Sequence, residues 1–277
     1  MAGKGGVGKT TVTAVLARAA SDTGLRVLAV ELDGKPTLRA VLPGVEVMAI
    51  SAPDSLDQYL RDHGFARIAK RLSTSGVIEV VGTAAPGIDD IVVLGKIKQL
   101  ERSREWDVIL VDGPAAGHAI TFLTAASGLL DAVRGGPVRA QALDVLEMLS
   151  DAERCQVVLV TVAEATPVNE LIETAFALED RVGVHLGPAV VNAVDTGPEL
   201  ADPDCVDLGD DELASAARAA AHFRRERRAM EHEEIARLDS SLPLPRVVLP
   251  ALPVAGMDAD SIRALAATLV AIPSEPS

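Results

Sequence analysis

Aromatic residues and cysteines are scarce in this sequence. Phe, Trp and Tyr make up 2% of its 277 residues, whereas 48% of them are hydrophobic. A sizeable core therefore has to be built from Ala, Val, Leu and Ile. The two cysteines, Cys155 and Cys205, form no CxxC pair, which excludes the common zinc and redox motifs. Their spacing permits a disulfide, but a reduced protein is the simpler interpretation.

Long apolar runs and an excess of basic charge are also missing. No window approaches the roughly 18 apolar residues of a membrane-spanning helix, and the first residues do not follow a secretory signal pattern. We therefore expect a cytoplasmic protein without stable membrane insertion. The formal net charge of -14 repels phosphate backbones, so nucleic acid is not an expected partner. The densest basic run, 224–228, is followed by glutamates, as on a solvated helix face.

Short β-branched segments recur along the chain and are typical of buried parallel strands. Each is too short for a helix and apolar on both faces. Helical patterns separate them, beginning with residues 10–20, so the sequence predicts an α/β fold with a doubly wound, mostly parallel sheet. The predicted strands are 25–30, 108–111, 157–162, 189–191 and 246–249.

Three stretches are longer than a simple crossover connection requires. They are 53–104, 117–154 and 210–238, and each has apolar residues at helical spacing. Because strands follow each of them, we interpret them as helical insertions on one edge of the sheet and residues 1–277 as a single domain.

Residues 3–10 match the spacing of a phosphate-binding P-loop. Glycines let successive backbone N–H groups turn toward phosphate oxygens, and the following helix directs its positive end to the same place. Lys9 is predicted to bind the β- and γ-phosphates, and Thr10 to bind Mg²⁺. The predicted ligands are therefore ATP and Mg²⁺.

Two aspartates follow predicted strands at the sheet edge where ligands bind. Asp112 is the candidate that holds Mg²⁺ through water, although a strand-to-helix turn also commonly contains Asp and Gly. Asp33 has two interpretations that the residues leave open. It either orients the attacking water, with Glu31 beside it, or caps the next helix, since Pro36 suits a helical first turn.

Lys4 is not required by a P-loop. It either neutralises phosphate charge, including that of ATP on a facing subunit, or simply occupies a variable position.

These residues together resemble the deviant Walker A ATPases, whose loop reads KGGVGKTT, here from Lys4 to Thr11. Further segments resemble the ArsA-like branch, which contains the arsenite-pump and tail-anchored-protein-targeting ATPases. They are a switch II motif at 112–118, a strand-loop-helix motif at 159–170 and a Val-Asn pair ending at Asn192. Residues 84–98 and 135–141 resemble a short actinobacterial group of anion-transporting-ATPase-like proteins.

The resemblance implies a single P-loop ATPase domain that acts as an ATP-driven switch. It implies a face-to-face homodimer, or a heterodimer with a paralogous ATPase, coupled to an unidentified protein cargo. In such a dimer Lys4 reaches across the interface, Asp33 activates water, Asn192 reads adenine and Pro250 lies near the base. The implied nucleotide-binding residues are Gly3, Gly5, Gly6, Val7, Gly8, Lys9, Thr10, Thr11, Gly117, Asn192 and Pro250, with Thr10 and Asp112 at the metal.

Several departures from the family pattern limit what the resemblance implies. Residues 33–38 lack the usual Pro-Ala after the switch I aspartate, and the cysteines of the arsenite and zinc sites are absent, so arsenite export is not expected. Methionine is also sparse for a groove that accepts diverse transmembrane helices.

The family also has a β-strand where this sequence has only Met1 and Ala2, so we expect unpaired neighbouring strands. Either the true start lies upstream of Met1, or the protein tolerates an impaired site. A nucleotide-binding module or pseudo-ATPase with negligible turnover is therefore the alternative function. A Min- or Par-like positioning ATPase ranks last, because residues 258–272 are not basic.

Overall fold

The computed structural model describes residues 1–32, 36–62, 87–206, 209 and 211–270. The strands within these ranges are β1 (Val27–Glu31), β2 (Glu46–Ala49), β3 (Val108–Asp112), β4 (Gln156–Val162), β5 (His185–Val194) and β6 (Arg246–Pro250). The helices are α1 (Lys9–Asp22), α2 (Thr37–Val41), α3 (Ala52–Asp62), α4 (Ile88–Ser103), α5 (Ala116–Ala132), α6 (Pro137–Leu149), α7 (Ala165–Val182), α8 (Glu212–Ser241) and α9 (Ala259–Val270).

All paired strands run parallel, in the orders β2-β1-β3 and β4-β5-β6. The predicted α/β class is thereby confirmed, and each predicted strand is present. Strand β2 was not predicted, because it has four residues and only Val47 among them is buried. So short a strand has no apolar run, and it forms through its pairing with β1.

Met1 and Ala2 lie between β3 and β4 and connect the two groups of strands. The Met1 amino group donates to the Val111 carbonyl at 2.7 Å. Ala2 donates to Val158 at 3.0 Å and accepts from Val160 at 2.8 Å. These contacts of Met1 and Ala2 partly offset the expected loss of strand pairing in the gap between β3 and β4. Beyond Met1 the gap continues as a cavity of about 400 Å³ between the two strands, and β3 is half-buried along its length.

Both faces of the sheet are covered by helices, because neighbouring strand residues point to opposite sides. On one face α1 and α9 cover Val160 and Val190. On the other face α5 and α7 cover Leu159 and Val191. Each fully buried aliphatic side chain of this kind contributes about 1.5–3 kcal/mol to folding. This packing explains why the strands are apolar on both faces.

Helices occupy the described part of each stretch that was predicted to be a helical insertion. They are α3 and α4 in the first, α5 and α6 in the second and α8 in the third, whereas residues 63–86 lie outside the described residues. Helices α3 to α6 pack against one another. Of the helices within the described ranges, none combines the length and the apolar character needed to cross a membrane.

Candidate functional site

The glycine loop of residues 3–8 turns directly into the first helix. Gly6 and Gly8 have φ angles of 87° and 92°, and α1 begins at Lys9 without a side-chain cap. The first N–H groups of a helix have no partner within the helix, so this terminus is suited to an anion. Gly5 and Gly6 are exposed at the loop surface, whereas Val7 is only 2% exposed and anchors the loop in the core.

The Lys9 side chain folds over this loop. Its ammonium group donates to the carbonyls of Gly3 at 3.2 Å and Lys4 at 3.1 Å. The ammonium therefore lies against the same backbone turn that carries the exposed glycines. A lysine held here can move by side-chain rotation alone to phosphate oxygens bound in the turn.

Thr10 and Asp112 meet at the end of β3. The Thr10 hydroxyl donates to a carboxylate oxygen of Asp112 at 2.6 Å, although 102 residues separate them. A hydroxyl and a carboxylate are the hard oxygen ligands that Mg²⁺ accepts, together with phosphate and water. The pair therefore fits the predicted magnesium site, and it was predicted from the sequence alone.

The Met1 amino group lies close to this pair, because it donates to the carbonyl of Val111, the residue before Asp112. Burial lowers the pKa of this amino group to about 6, and the carboxylate of Asp112 opposes that shift.

The segment after Asp112 is tied to the glycine loop. The Ala116 N–H donates to the Gly3 carbonyl at 2.9 Å where α5 begins. Gly117 lies in the first turn of α5 and is exposed. The predicted switch II segment and the P-loop are therefore in direct contact.

Asn192 and Pro250 lie at the ends of the neighbouring strands β5 and β6, where Val194 pairs with Pro250. The Asn192 amide is buried and donates to the Val7 carbonyl at 3.0 Å. In this structure Asn192 thus contacts the P-loop, and its reading of adenine stays a prediction. The next residue, Ala193, has a φ angle of 58° inside a break in the strand register.

The residues that follow β5 form hydrogen bonds and an ion pair with the long helix α8. Arg224 donates to both carboxylate oxygens of Asp195, at 2.6 and 2.9 Å, and lowers the pKa of Asp195 to about 2. The Asp195 N–H donates to the buried Glu231 at 3.0 Å. These contacts fix the edge of the sheet beside Asn192 and Pro250.

Lys4 forms an ion pair at 2.7 Å with Glu170, on α7. Sequence reasoning missed this partner, since the two residues are 166 positions apart. Both side chains stay partly exposed, at 35% and 40%.

Asp33 lies outside the described residues, so its two interpretations stay predictions. Its neighbour Glu31 is 6% exposed and accepts the Leu38 N–H at 2.6 Å, which ties β1 to α2. Helix α2 begins at Thr37, directly after Pro36.

Replacing Ala193 with glycine is expected to raise the free energy of unfolding by about 0.5 kcal/mol. A positive φ costs a residue with a Cβ about 1–2 kcal/mol, and the greater unfolded-state freedom of glycine removes about 0.5–1 kcal/mol of the gain. Urea denaturation measures the difference. Ala189→Gly is the matched control, because Ala189 is buried in the same strand and its φ is negative, and it should destabilise. If both variants are destabilised equally, the backbone of Ala193 is not strained.

The fold and this site define a P-loop nucleotide-binding protein of the parallel α/β class. The chain belongs to the CobQ/CobB/MinD/ParA nucleotide-binding domain family, whose profile matches residues 1–271.

Curated relatives narrow this class further. The ATPase BagA of Mycobacterium tuberculosis is 32% identical over 217 residues, covering 69% of this chain and 63% of that protein. An arsenical pump-driving ATPase of Escherichia coli is 28% identical over 197 residues, covering 69% of this chain and 33% of that protein. The chain thus spans less than two thirds of the length of either relative. These similarities confirm the predicted resemblance to ArsA-like ATPases.

Proposed function

We propose that this chain is a magnesium-dependent ATPase that converts ATP and water to ADP and phosphate, acting as a dimeric switch coupled to a protein cargo or partner. The observation that carries the proposal is the 2.6 Å contact of Thr10 with Asp112 beside the uncapped start of α1. A glycine turn alone binds many anions. A turn with a hydroxyl and a carboxylate at its base is suited to a nucleotide carrying a divalent ion.

Each residue of the site has a proposed role. The loop N–H groups and Lys9 bind the β- and γ-phosphates, and Thr10 and Asp112 hold the ion. Mg²⁺ when bound neutralises phosphate charge. Asp33 orients the attacking water. The base lies at the ends of β5 and β6, near Pro250.

The contact between Gly3 and Ala116 supports the proposed coupling. Because α5 begins at this contact and packs against α4, α6 and α7, a change in the loop reaches those helices directly. Loss of the γ-phosphate would then alter the surface that a cargo or partner contacts.

The experiment combines ATP binding, by calorimetry, with phosphate release in the presence of Mg²⁺. Binding together with magnesium-dependent release is the expected result. Tight binding with no release above background would reject the enzyme and favour a nucleotide-binding module.

Replacing Lys4 with alanine tests the proposed dimer. We expect ATP binding to persist and phosphate release to fall about 10²-fold, because the ammonium would stabilise charge in the facing subunit. Sedimentation with and without ATP should show a nucleotide-dependent dimer for the unmodified chain and a weakened one for the variant.

Glu170→Ala is the matched control for Lys4→Ala, because it removes the same ion pair and keeps the lysine. A partly exposed pair contributes only about 0–1 kcal/mol to stability, so both variants should fold. If phosphate release falls equally in both, Lys4 acts only through Glu170, and its role across a dimer interface is wrong.

A further inference from the structure

We propose that Asn192 is a positioning residue that holds the P-loop in its phosphate-binding shape, whatever base the nucleotide carries. The inference rests on the proposed nucleotide site and goes beyond it, since it assigns to Asn192 a role in the shape of the loop that is separate from the predicted contact with the base.

The contact joins two distant parts of the chain inside the protein. The Asn192 amide nitrogen lies 3.0 Å from the Val7 carbonyl oxygen across 185 residues of sequence. Asn192 is 9% exposed and Val7 is 2% exposed. A carbonyl buried this deeply needs a donor, and the amide provides one.

Because the peptide bond is planar, this contact also sets the direction of the next N–H, on the side of the loop that faces the phosphates. In a trans peptide the carbonyl of one residue and the N–H of the next point in opposite directions. Because Asn192 draws the Val7 carbonyl into the core, the Gly8 N–H points away from Asn192. Gly8 directly precedes α1, so this N–H joins those of the open helix terminus.

The fit around the amide is tight on the loop side. A Cβ on Gly8 would lie 2.2 Å from the amide nitrogen of Asn192, and Gly8 already has a φ angle of 92°. Glycine at this position therefore has two causes: the backbone turn and the space that Asn192 occupies.

The strand that carries Asn192 is distorted at this point. Ala193 has the left-handed conformation, with φ of 58°, and the register with β6 shifts between Val191 and Val194. Such a conformation persists only when its surroundings impose it, and it is enriched at functional sites. Here the distortion directly follows the side chain that holds the loop.

Two roles for Asn192 predict different dependence on the ligand. If Asn192 only reads adenine, replacing it lowers the affinity for ATP more than the affinity for GTP. The affinity for an inorganic ligand without a base then stays unchanged. If Asn192 holds the loop, replacing it lowers the affinity for every ligand with a triphosphate. We therefore compare Mg-ATP, Mg-GTP and Mg-tripolyphosphate by calorimetry.

For Asn192→Ala we expect the affinities for all three ligands, including tripolyphosphate, to fall by about tenfold or more, because the Val7 carbonyl loses its donor. Asn169→Ala is the matched control, because Asn169 is exposed on α7, and it should bind like the unmodified chain. A loss confined to ATP, with tripolyphosphate unchanged, would overturn the proposal. If the unmodified chain binds none of the three, the proposed function fails instead.

Amide hydrogen exchange tests the same contact without any ligand. In Asn192→Ala the amides of residues 5–10 should exchange faster, while those of α9 keep their protection. If the alanine variant does not fold, Asn192→Asp keeps the size of the side chain and removes the donor. Unchanged loop exchange in whichever variant folds would show that Asn192 does not hold the loop.

Discussion

Replacing Lys9 with alanine is expected to lower the rate of phosphate release from ATP by about 10²–10³-fold. The ammonium group of Lys9 lies 3.1–3.2 Å from two loop carbonyls, on the turn that would surround the phosphates. In the alanine variant this ammonium group no longer stabilises the negative charge that develops during phosphoryl transfer. A phosphate-release assay at saturating ATP measures the effect on turnover.

The same variant should also bind ATP more weakly. Hydrogen bonds to charged groups contribute about 1.5–3 kcal/mol, which corresponds to a loss of about 10–150-fold in affinity. Lys96→Ala is the matched control, because it removes one lysine from α4, where Lys96 contacts Gln58. If Lys9→Ala and Lys96→Ala release phosphate at equal rates, Lys9 has no part in the reaction.

Replacing Asp112 with asparagine should have a comparably large effect on hydrolysis, about 10²–10³-fold. Asparagine retains the shape and an oxygen acceptor for Thr10, now 2.6 Å away, but it lacks the negative charge that attracts a divalent ion. The dependence of the rate on Mg²⁺ concentration should therefore shift to higher concentrations. ATP binding measured without Mg²⁺ should change far less.

The strand β3 also provides the control for this substitution. Asp107 immediately precedes β3 and pairs with Arg26 on the surface, 2.6 Å away. Asp107→Asn removes the same charge from the opposite end of the strand, and it should leave the rate and the Mg²⁺ dependence unchanged. If the Mg²⁺ dependence of Asp112→Asn is unaltered, Asp112 does not hold the metal and the metal site lies elsewhere.

The features that were predicted correctly depend on residues close together in sequence. Residues 3–10 encode a turn and a helix start locally, so their spacing alone predicts the loop that the structure contains. The longer strands are likewise readable from short β-branched runs, because both faces of the sheet are buried. Strand β2 was not predicted because its one buried residue, Val47, forms no such pattern.

The contacts between strand ends depend on the register of the sheet. That Asp112 lies near the loop follows from a general rule of parallel sheets, so the sequence predicted it. The partner of Lys4 and the direction of the Asn192 amide follow from no such rule. They depend on how α7 packs against the sheet and on the distortion at Ala193.

The sequence by itself thus determined a P-loop on a parallel α/β sheet, the family resemblance and the pair of Thr10 with Asp112. Only the tertiary structure decided that Asn192 contacts Val7, that Lys4 pairs with Glu170 and that Ala116 contacts Gly3. The physical reason is the range of the interactions. Turn and helix preferences act within a few residues, whereas the pairing of side chains more than a hundred positions apart is fixed only by the packing of the folded chain.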